Sequence, residues 1–417
     1  MGQIGFGSYR ISIKSKEHEA ALVHALQNGL KLIDTSANYT NGDSELLIGK
    51  VLEENPKYRP IIVTKAGYIQ GNNLLNIPTK EDLVEISEGL KHSIHPIFLE
   101  QQITLSLQRL KINSIDVFLL HNPEYFFEIQ GNSRFEFYQR IEKAFIHLEE
   151  EVKRGRIRSY GISSNNFILP HQHPAFVDLE SIIQIAQTIN KKHHFTHVQF
   201  PMNLIEIGAL EKFGEFGNLS LVEIAKMNNL ITMINRPLNA FKDNQLIRLA
   251  TYKKEIRELN KDADKKLFED TLNLLKNKWV EEHKNSGEDE ITELTEVTLI
   301  KQWTEIWDKL PSPDAVDQVY HAHLFPFIAQ VWGGSLTKEE SEPFYRIYEL
   351  SIQYSRKEMD MKASKFRDQA LEVGLLNPID DSQFAKEVIE TYLSYGIDYV
   401  LVGMRKVDYV DQLKSLF

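Results

Sequence analysis

The chain has 417 residues, no cysteine and a formal net charge of −11 at pH 7. The lack of cysteine excludes disulfides, thiolate metal ligands and a cysteine nucleophile. An acidic balance without a Lys/Arg block argues against binding to nucleic acid or to an anionic membrane. No uncharged apolar run approaches the roughly 20 residues of a membrane span. Because the first residues also lack the pattern of a signal peptide, we expect a cytoplasmic protein.

Eight short apolar runs along the chain are typical of buried β-strands. They begin near residues 4, 30, 61, 116, 158, 197, 230 and 397, and amphipathic helical segments lie between most of them. Strands that alternate with helices predict a parallel sheet, and eight such units predict a closed (β/α)8 barrel, the TIM barrel. The predicted fold class is therefore α/β.

One interval between the predicted strands is much longer than the others. The seventh and eighth strands start 167 residues apart, whereas the other intervals run from 26 to 55 residues. We therefore predict three segments: 1–240 with strands one to seven, a helical insertion over 241–370, and 371–417 with strand eight and a closing helix.

Apolar residues three or four positions apart predict that the insertion is all helical. Two such series support this prediction: Leu246, Leu249, Tyr252, Ile256 and Leu259, and then Ile300, Trp303, Ile306, Trp307 and Leu310. We expect Trp303, Trp307 and Trp332 to form part of the core of the insertion.

Three of the predicted strands end in side chains that are able to take part in proton chemistry. Asp34 ends the second strand, Lys65 the third and His121 the fourth, and Tyr39 follows Asp34 by five residues. The C-terminal face of a parallel barrel carries its chemistry, so we expect these side chains to meet there. A phenol with its ordinary pKa of ~10 needs neighbours that tune it before it serves as a general acid.

In order and context, Asp34, Tyr39, Lys65 and His121 resemble the catalytic tetrad of the aldo-keto reductases. The flanking segments match as well: Ile33-Asp34-Thr35-Ser36, Gly42-Asp43-Ser44-Glu45, Thr64-Lys65 and Leu119-Leu120-His121-Asn122-Pro123. The resemblance covers residues 1–240 and about 375–417, but not the insertion. It implies an NADP-dependent (β/α)8-barrel oxidoreductase that reduces a small aldehyde or ketone with NADPH, or oxidises the alcohol in reverse.

The resemblance also implies a role for each member of the tetrad. Tyr39 is the proton donor to the carbonyl oxygen, and His121 orients or polarises the carbonyl. Lys65, itself paired with Asp34, lowers the pKa of the phenol. Elementary electrostatics agrees, because a cation beside a phenol favours the phenolate.

Two strand ends resemble the family's nicotinamide site. Ser163 matches the serine that binds the carboxamide, and Gln199 matches the second carboxamide contact. The family has asparagine at the position after the serine, whereas this chain has Ser164 followed by Asn165. All four residues are candidate cofactor contacts.

After the seventh strand, Arg236, Pro237 and Leu238 replace the family's common Ser-Pro-Leu. A guanidinium binds phosphate oxygens in a bidentate manner, so we expect Arg236 to meet the cofactor pyrophosphate. The family's Gly-rich loop that clasps the cofactor is absent at this point, where the insertion begins.

After the eighth strand, Gly403, Arg405 and Lys406 match the segment that contacts the adenosine 2′-phosphate in the family. Arg405 is the best-placed of the three. A basic pair with no acidic ribose-binding residue beside it favours NADP over NAD.

Two other functions compete with the reductase. A barrel that keeps its cofactor could act as a redox-responsive regulatory subunit, with the insertion as its partner surface. A lyase or isomerase could use Lys65 as a Schiff base, which requires a desolvated amine without a carboxylate partner. No spacing of histidine and acidic residues predicts a metal site.

Overall fold

The structure is a computed structural model, and it describes residues 2–129, 131, 133–213, 219–242, 245–250, 256–283, 301–374, 376 and 383–417. These residues form two compact units, one over Met1–Asn244 and Gly374–Phe417, the other over Gln245–Val373. No helix among the described residues combines the length and the apolar character that a membrane crossing needs.

The first unit is built on a closed barrel of eight parallel strands, as predicted. In chain order they are β1 (Gln3–Gly7), β2 (Leu32–Asp34), β3 (Ile61–Ala66), β4 (Ile115–His121), β5 (Ile157–Ser163), β6 (Phe195–Pro201), β7 (Ile231–Asn235) and β8 (Tyr399–Gly403). Each strand pairs with its neighbour in the sequence, and β8 pairs with β1 to close the barrel. The predicted (β/α)8 fold is therefore confirmed.

Helices follow most of the strands along the chain. In the first unit they are Lys16–Gln27, Asp43–Glu54, Pro96–Leu110, Arg134–Lys153, Leu179–Ile189, Leu221–Met227, Phe384–Ser394 and Val407–Leu413. Short helical turns are Tyr39–Gly42, Gly71–Leu75, Pro123–Glu128, Asn165–Ile168, Gly208–Leu210 and Lys414–Leu416. Short strands outside the barrel are Tyr68–Ile69, Val84–Ser87, Leu90–His92, Lys212–Phe213, Leu219–Ser220 and Asn239–Lys242.

The helix Arg134–Lys153 illustrates how local sequence sets these elements. It begins where the Ser133 hydroxyl accepts a hydrogen bond from the backbone N–H of Glu136, at 3.2 Å. It ends before Gly155, whose positive φ of 73° suits glycine. Its buried apolar face recurs at helical spacing and consists of Phe137, Ile141, Phe145 and Leu148.

Apolar side chains fill the barrel interior and make it a packed core rather than a pore. The cluster contains six residues from five strands: Leu32, Val63, Val117, Leu119, Met233 and Leu401. Asp34, Lys65 and His121 lie at or near the C-terminal ends of three of these strands, above this core.

The second unit is mainly helical, as predicted for the insertion. Its helices are Lys261–His283, 301–306, Pro313–Val319, Tyr320–Leu324, Phe325–Val331 and Lys338–Glu372. A cluster of buried aromatic and aliphatic side chains holds them together, and it includes Trp303 and Trp307, with Trp332 packed against it. These three tryptophans lie where the sequence predicted them.

The all-helical prediction fails at the start of this unit. Gln245–Arg248 is a strand, and residues 256–260 form no regular element. Leu246 and Leu249 are three positions apart, but two apolar residues do not distinguish a helix from a strand followed by a turn. Tyr252 and Ile300, which belonged to the two predicted series, lie outside the described residues.

Candidate active site

Strand register brings the predicted residues to one face of the barrel. Asp34 ends β2 beside Gly7 of β1. On the other side of the barrel, His121 at the end of β4 pairs with Ser163 of β5, and Ser163 pairs with Gln199 of β6. These side chains form one polar layer above the apolar barrel core.

Lys65 and Asp34 form a buried ion pair in this layer. The Lys65 ammonium is fully buried and lies 2.7 Å from each Asp34 carboxylate oxygen and 2.7 Å from the Thr35 carbonyl oxygen. An ammonium has three donors, and these three acceptors use all of them. The Schiff-base alternative required a lysine without a carboxylate partner, and the structure contradicts it.

Burial acts on both members of this pair in opposite directions. It raises the pKa of the Asp34 carboxyl, against which the Lys65 ammonium and the Gln199 amide act. It lowers the pKa of Lys65, against which the Asp34 carboxylate acts. Each charge is therefore tolerated only because the other is present.

A chain of hydrogen bonds extends from this pair toward the predicted nicotinamide site. The Gln199 amide N–H donates to Asp34 at 2.8 Å, and its carbonyl oxygen accepts from the Ser163 hydroxyl at 2.9 Å. Gln199 and Ser163 are both buried. Two predicted cofactor residues are thus connected directly to the tetrad.

Tyr39 lies beside Lys65 and His121, but its pKa differs from the sequence-based expectation. Its ring centroid is 5.1 Å from the Lys65 ammonium and 6.0 Å from the His121 ring. Burial raises the pKa of Tyr39 well above its ordinary value, and the negative charge of Asp34 adds to this effect. The lowering expected from the sequence is not found, because burial, the largest cause, acts in the opposite direction. The phenol is held in its protonated form, which is the form that a proton donor requires.

The backbone directly after Tyr39 is strained. Thr40 and Asn41 have positive φ angles of 47° and 57°, and Gly42 follows at 93°. For residues other than glycine, this conformation costs on the order of 1 kcal/mol each. The Thr40 hydroxyl donates to the Ile11 carbonyl at 2.7 Å, which helps to hold the turn. Backbone strain of this kind is concentrated at functional sites.

The ring of His121 is neutral and in contact with a serine. Burial and the nearby Lys65 charge hold its pKa well below the ordinary value. The Ser36 hydroxyl oxygen lies 3.0 Å from His121 Nδ1, 2.6 Å from Asn38 Oδ1 and 3.1 Å from the Lys65 carbonyl oxygen. A hydroxyl has one proton, so its direction sets the histidine tautomer. When Ser36 donates to His121 Nδ1, His121 Nε2 carries the proton and is able to donate to a carbonyl oxygen.

Two side chains of the long segment after β3 also contact His121. The Tyr68 ring packs edge-on at 4.7 Å, and His92 Nε2 lies 2.7 Å from the His121 carbonyl oxygen. Burial lowers the pKa of His92 to about 4, so its ring is neutral and donates from Nε2. A side chain at Gly67 would lie 2.2 Å from that carbonyl oxygen, which explains the glycine.

Sequence reasoning missed Ser36, Tyr68 and His92 as site residues. Ser36 was visible beside Asp34, but its contact with His121 depends on two strands meeting. Tyr68 and His92 belong to a segment whose unusual length was the available signal, because long connections in α/β units are often functional.

Ser164 and Asn165 follow the polar layer, at the start of the turn Asn165–Ile168. Ser164 is buried, and its hydroxyl accepts from the Asn166 N–H at 3.1 Å. The Asn165 N–H donates to the Glu124 carboxylate at 2.7 Å. Ser164 therefore has a capping contact in the structure, whereas Ser163 belongs to the chain that leads to Asp34.

Glu124 gives a prediction for pH dependence. Burial raises the pKa of this carboxyl from 4.5 to about 7. The folded chain thus binds this proton more tightly than the unfolded chain. The protonated Glu124 carboxyl therefore stabilises the folded state fully below pH 4.5, and this contribution to the free energy of unfolding is lost as the pH rises through 7. Relative to Glu124→Gln, the wild type is expected to lose about 3 kcal/mol of unfolding free energy between pH 4.5 and pH 8. Urea denaturation of both proteins between pH 4.5 and pH 8 measures this difference in unfolding free energy. If the unfolding free energies of the two proteins changed with pH in parallel, the prediction would be wrong.

Arg236 lies directly after β7 in a left-handed conformation, with φ of 55°. Its guanidinium forms an ion pair with the Glu206 carboxylate at 2.8 Å, and Asn203 donates to the same carboxylate at 2.6 Å. Pro237 is buried, and its carbonyl oxygen accepts from the Tyr392 hydroxyl. A phosphate at Arg236 would share the guanidinium with Glu206. Leu238, the next residue, is half-buried.

Gly403, Arg405 and Lys406 lie at the end of β8 and just beyond it. Gly403 pairs with Gly7 of β1, which places this segment on the same face as Asp34. Arg405 and Lys406 are half-buried, and among the described residues no carboxylate lies within ion-pair distance of either. This basic pair is therefore available to an anion.

One acidic group resembles a metal site in geometry alone. Ligand atoms of Glu81, Asp82 and His95 lie within 4.8 Å of one another. Asp82 pairs with Arg140 at 3.7 Å and with Lys143 at 3.8 Å, so two cations already compensate it. We assign no metal to this group.

Comparison with known proteins finds relatives in sequence and in structure. The chain is 26% identical to the NADH-specific methylglyoxal reductase of Escherichia coli (strain K12) over 145 residues, which are 34% of this chain and 40% of that protein. It is 24% identical over 246 residues to the NAD(P)H-dependent D-xylose reductase of Scheffersomyces stipitis, covering 54% of this chain and 67% of that protein.

The chain is also similar in part to solved structures, which include an aldo-keto reductase from Bacillus halodurans in its holo form. The TM-score is 0.38 at 18% identity, over 56% of this chain and 61% of that chain. A second is an aldo-keto reductase from Klebsiella pneumoniae in complex with NADPH, with a TM-score of 0.37 at 20% identity, over 57% and 64% of the two chains. This chain thus spans less than two thirds of either protein.

The sequence model described as the Aldo/keto reductase family matches residues 2–230. That range contains six of the eight barrel strands and all four members of the tetrad. Since the match covers more than half of the chain, this protein belongs to the aldo/keto reductase family.

Proposed function

We propose that this protein reduces a small aldehyde or ketone with NADPH, with Tyr39 as the proton donor. The observation that carries the proposal is the cluster of Tyr39, His121 and the buried Lys65–Asp34 pair at the C-terminal face of the barrel. A cofactor of this kind supplies a hydride to the carbonyl carbon when it is bound. The chain must then supply one proton to the carbonyl oxygen.

Each tetrad residue has a physical role in that proton transfer. Tyr39 is protonated at neutral pH, so it has the proton to give. Once the proton leaves, the fixed Lys65 ammonium, 5.1 Å from the ring centroid, stabilises the phenolate. His121 is neutral, and with a proton on Nε2 it orients the carbonyl by a hydrogen bond. Asp34 holds Lys65 in position.

The chain offers a suitable set of groups for a nicotinamide cofactor. Ser163 and Gln199 supply a hydroxyl and an amide in the same layer as His121. Arg405 and Lys406 supply positive charge on the same face of the barrel, with Gly403 beside them, and support NADP over NAD. Arg236 is a further candidate for the pyrophosphate, in competition with Glu206.

The cofactor preference has its own test. Arg405→Ala is expected to weaken NADPH binding by tenfold or more, because a charge-assisted contact with the 2′-phosphate contributes about 1.5–3 kcal/mol. NADH binding should change little, since NADH lacks that phosphate. Titration of nicotinamide fluorescence measures both affinities, and Lys57→Ala, before β3 at the opposite end of the barrel, is the control. Equal losses for the two cofactors would refute the assignment.

The activity is tested by following NADPH oxidation at the nicotinamide absorbance with a panel of aromatic, aliphatic and sugar aldehydes. Turnover of at least one carbonyl is the expected result. Tight NADPH binding with no turnover across the panel would contradict the proposal. Among the described residues, nothing specifically favours the regulatory subunit considered from the sequence.

A further inference from the structure

A cavity of about 360 Å³ lies next to the strained turn that follows Tyr39. It is bounded by that turn, by the segment Gly71–Leu75 with its neighbours, and by the helix Pro96–Leu110. Small-molecule sites have volumes of about 300–1,000 Å³, so the size suits a small ligand. Seven of the eleven residues that line it are asparagine or glutamine. We refer to it as the amide cavity.

The residues that line the amide cavity differ in their exposure to solvent. Ala37 is a buried part of its lining, at 4% exposure. Asn38, Gln70 and Asn73 are half-buried, whereas Asn41 is exposed. A ligand that entered it would therefore lose water from part of its surface while contacting several carboxamides.

Most of these carboxamides remain available for a ligand. Among the described residues, no side-chain hydrogen-bond partner is found for Asn41, Gln70 or Asn73. Asn38 Oδ1 lies 2.6 Å from the Ser36 hydroxyl oxygen, and the Gln101 amide N–H donates to the Asn76 carbonyl oxygen at 3.4 Å. A carboxamide donates from its nitrogen and accepts at its oxygen, so the lining offers a ligand several hydrogen-bond donors and several acceptors.

The charge of the cavity is compensated. Arg109 is the one charged residue in its lining, and its Nε donates to the fully buried Glu45 carboxylate at 2.7 Å. Among the described residues, Arg109 Nη2 has no hydrogen-bond partner, which leaves one more donor. A free phosphate or carboxylate would need an uncompensated cation, and a free ammonium would need an uncompensated anion. The lining therefore favours a neutral ligand.

We propose that the amide cavity binds a neutral polyhydroxylated molecule of the carbohydrate class. A hydroxyl group donates one hydrogen bond and accepts others, which matches a lining of carboxamides. The inference goes beyond the reductase function and does not require turnover. The cavity also lies close to the proposed site, because Asn38 and His121 are both within hydrogen-bond distance of the Ser36 hydroxyl.

The test uses methyl α-D-glucopyranoside, a glycoside without a free aldehyde, so that the probe cannot be reduced. Binding is measured by saturation-transfer NMR and titration calorimetry on the full chain without cofactor. We expect saturable binding that weakens at least tenfold in Gln70→Leu/Asn73→Leu, because each lost hydrogen bond contributes about 1 kcal/mol. Gln108→Leu is the matched control: Gln108 is exposed on the same helix as Gln101 and does not line the cavity.

Several outcomes would overturn the proposal. One is the absence of saturable binding of the glycoside and of sorbitol to the wild type. Another is equal binding by the wild type and the double variant, which would place the site elsewhere. Displacement by phosphate or acetate would contradict the neutral ligand. If the double variant does not fold, as judged by circular dichroism, Gln101→Leu replaces it with the same expected direction. Because no cofactor is present, failure here leaves the reductase proposal intact.

Discussion

Tyr39→Phe is expected to lower the rate of carbonyl reduction by about 10²–10⁴-fold, because it removes the one proton donor of the proposed mechanism. NADPH affinity should stay nearly unchanged. The substitution removes a hydroxyl and keeps the ring that packs against His121 and lies beside Lys65. Steady-state turnover with the best aldehyde of the panel and fluorescence titration of NADPH measure the two effects.

Tyr58→Phe provides the matched control for this experiment. Tyr58 lies just before β3, at the opposite end of that strand from Lys65, so its hydroxyl should not affect turnover. If NADPH binding collapses in Tyr39→Phe, then Tyr39 serves the cofactor and its assignment as a proton donor is wrong. Retained turnover would contradict the assignment as well.

Lys65→Met is expected to destabilise the folded protein by about 3–5 kcal/mol and to abolish activity. The substitution leaves the Asp34 carboxylate buried, with only the Gln199 amide to compensate it. Removal of one partner of a buried ion pair typically has a cost of this size. Urea denaturation measures the free energy of unfolding.

The double variant Asp34→Asn/Lys65→Met separates charge from packing. It removes both charges, so most of the lost stability should return while activity stays absent, because nothing then stabilises the Tyr39 phenolate. A single variant Lys65→Met within 1 kcal/mol of the wild type would show that the pair is not desolvated as the structure has it. A double variant less stable than Lys65→Met would also contradict this account.

The barrel could be predicted because its strands leave a clear pattern in the sequence. Each is a short apolar run. In the structure, β2 ends at Asp34 and β4 at His121, and Lys65 is the next-to-last residue of β3. The start of the second unit could not be predicted, because Leu246 and Leu249 fit either a helix or the observed strand Gln245–Arg248. The segment bounds 241–370 remain a prediction, beside the observed division at Gln245–Val373.

The identities of the tetrad residues could be predicted, but not their electrostatics. The three-donor arrangement of Lys65 depends on where Asp34 and the Thr35 carbonyl lie in the folded barrel. The raised pKa of Tyr39 depends on burial, which a sequence does not show. The contact of Ser36 with His121 joins residues 85 positions apart. The roles of these residues remain proposals until the variants are measured.

The most direct test of the proposed reaction follows the hydride itself. The wild type is mixed with NADPH deuterated at the transferable position of the nicotinamide, together with an aldehyde that it reduces, and the product alcohol is examined by mass spectrometry and NMR. One deuterium on the former carbonyl carbon, with the amount of deuterated product from Tyr39→Phe over the same time lower by about 10²–10⁴-fold, is the predicted result. Alcohol formed without deuterium at that carbon, or equal deuterium transfer by Tyr39→Phe, would contradict it.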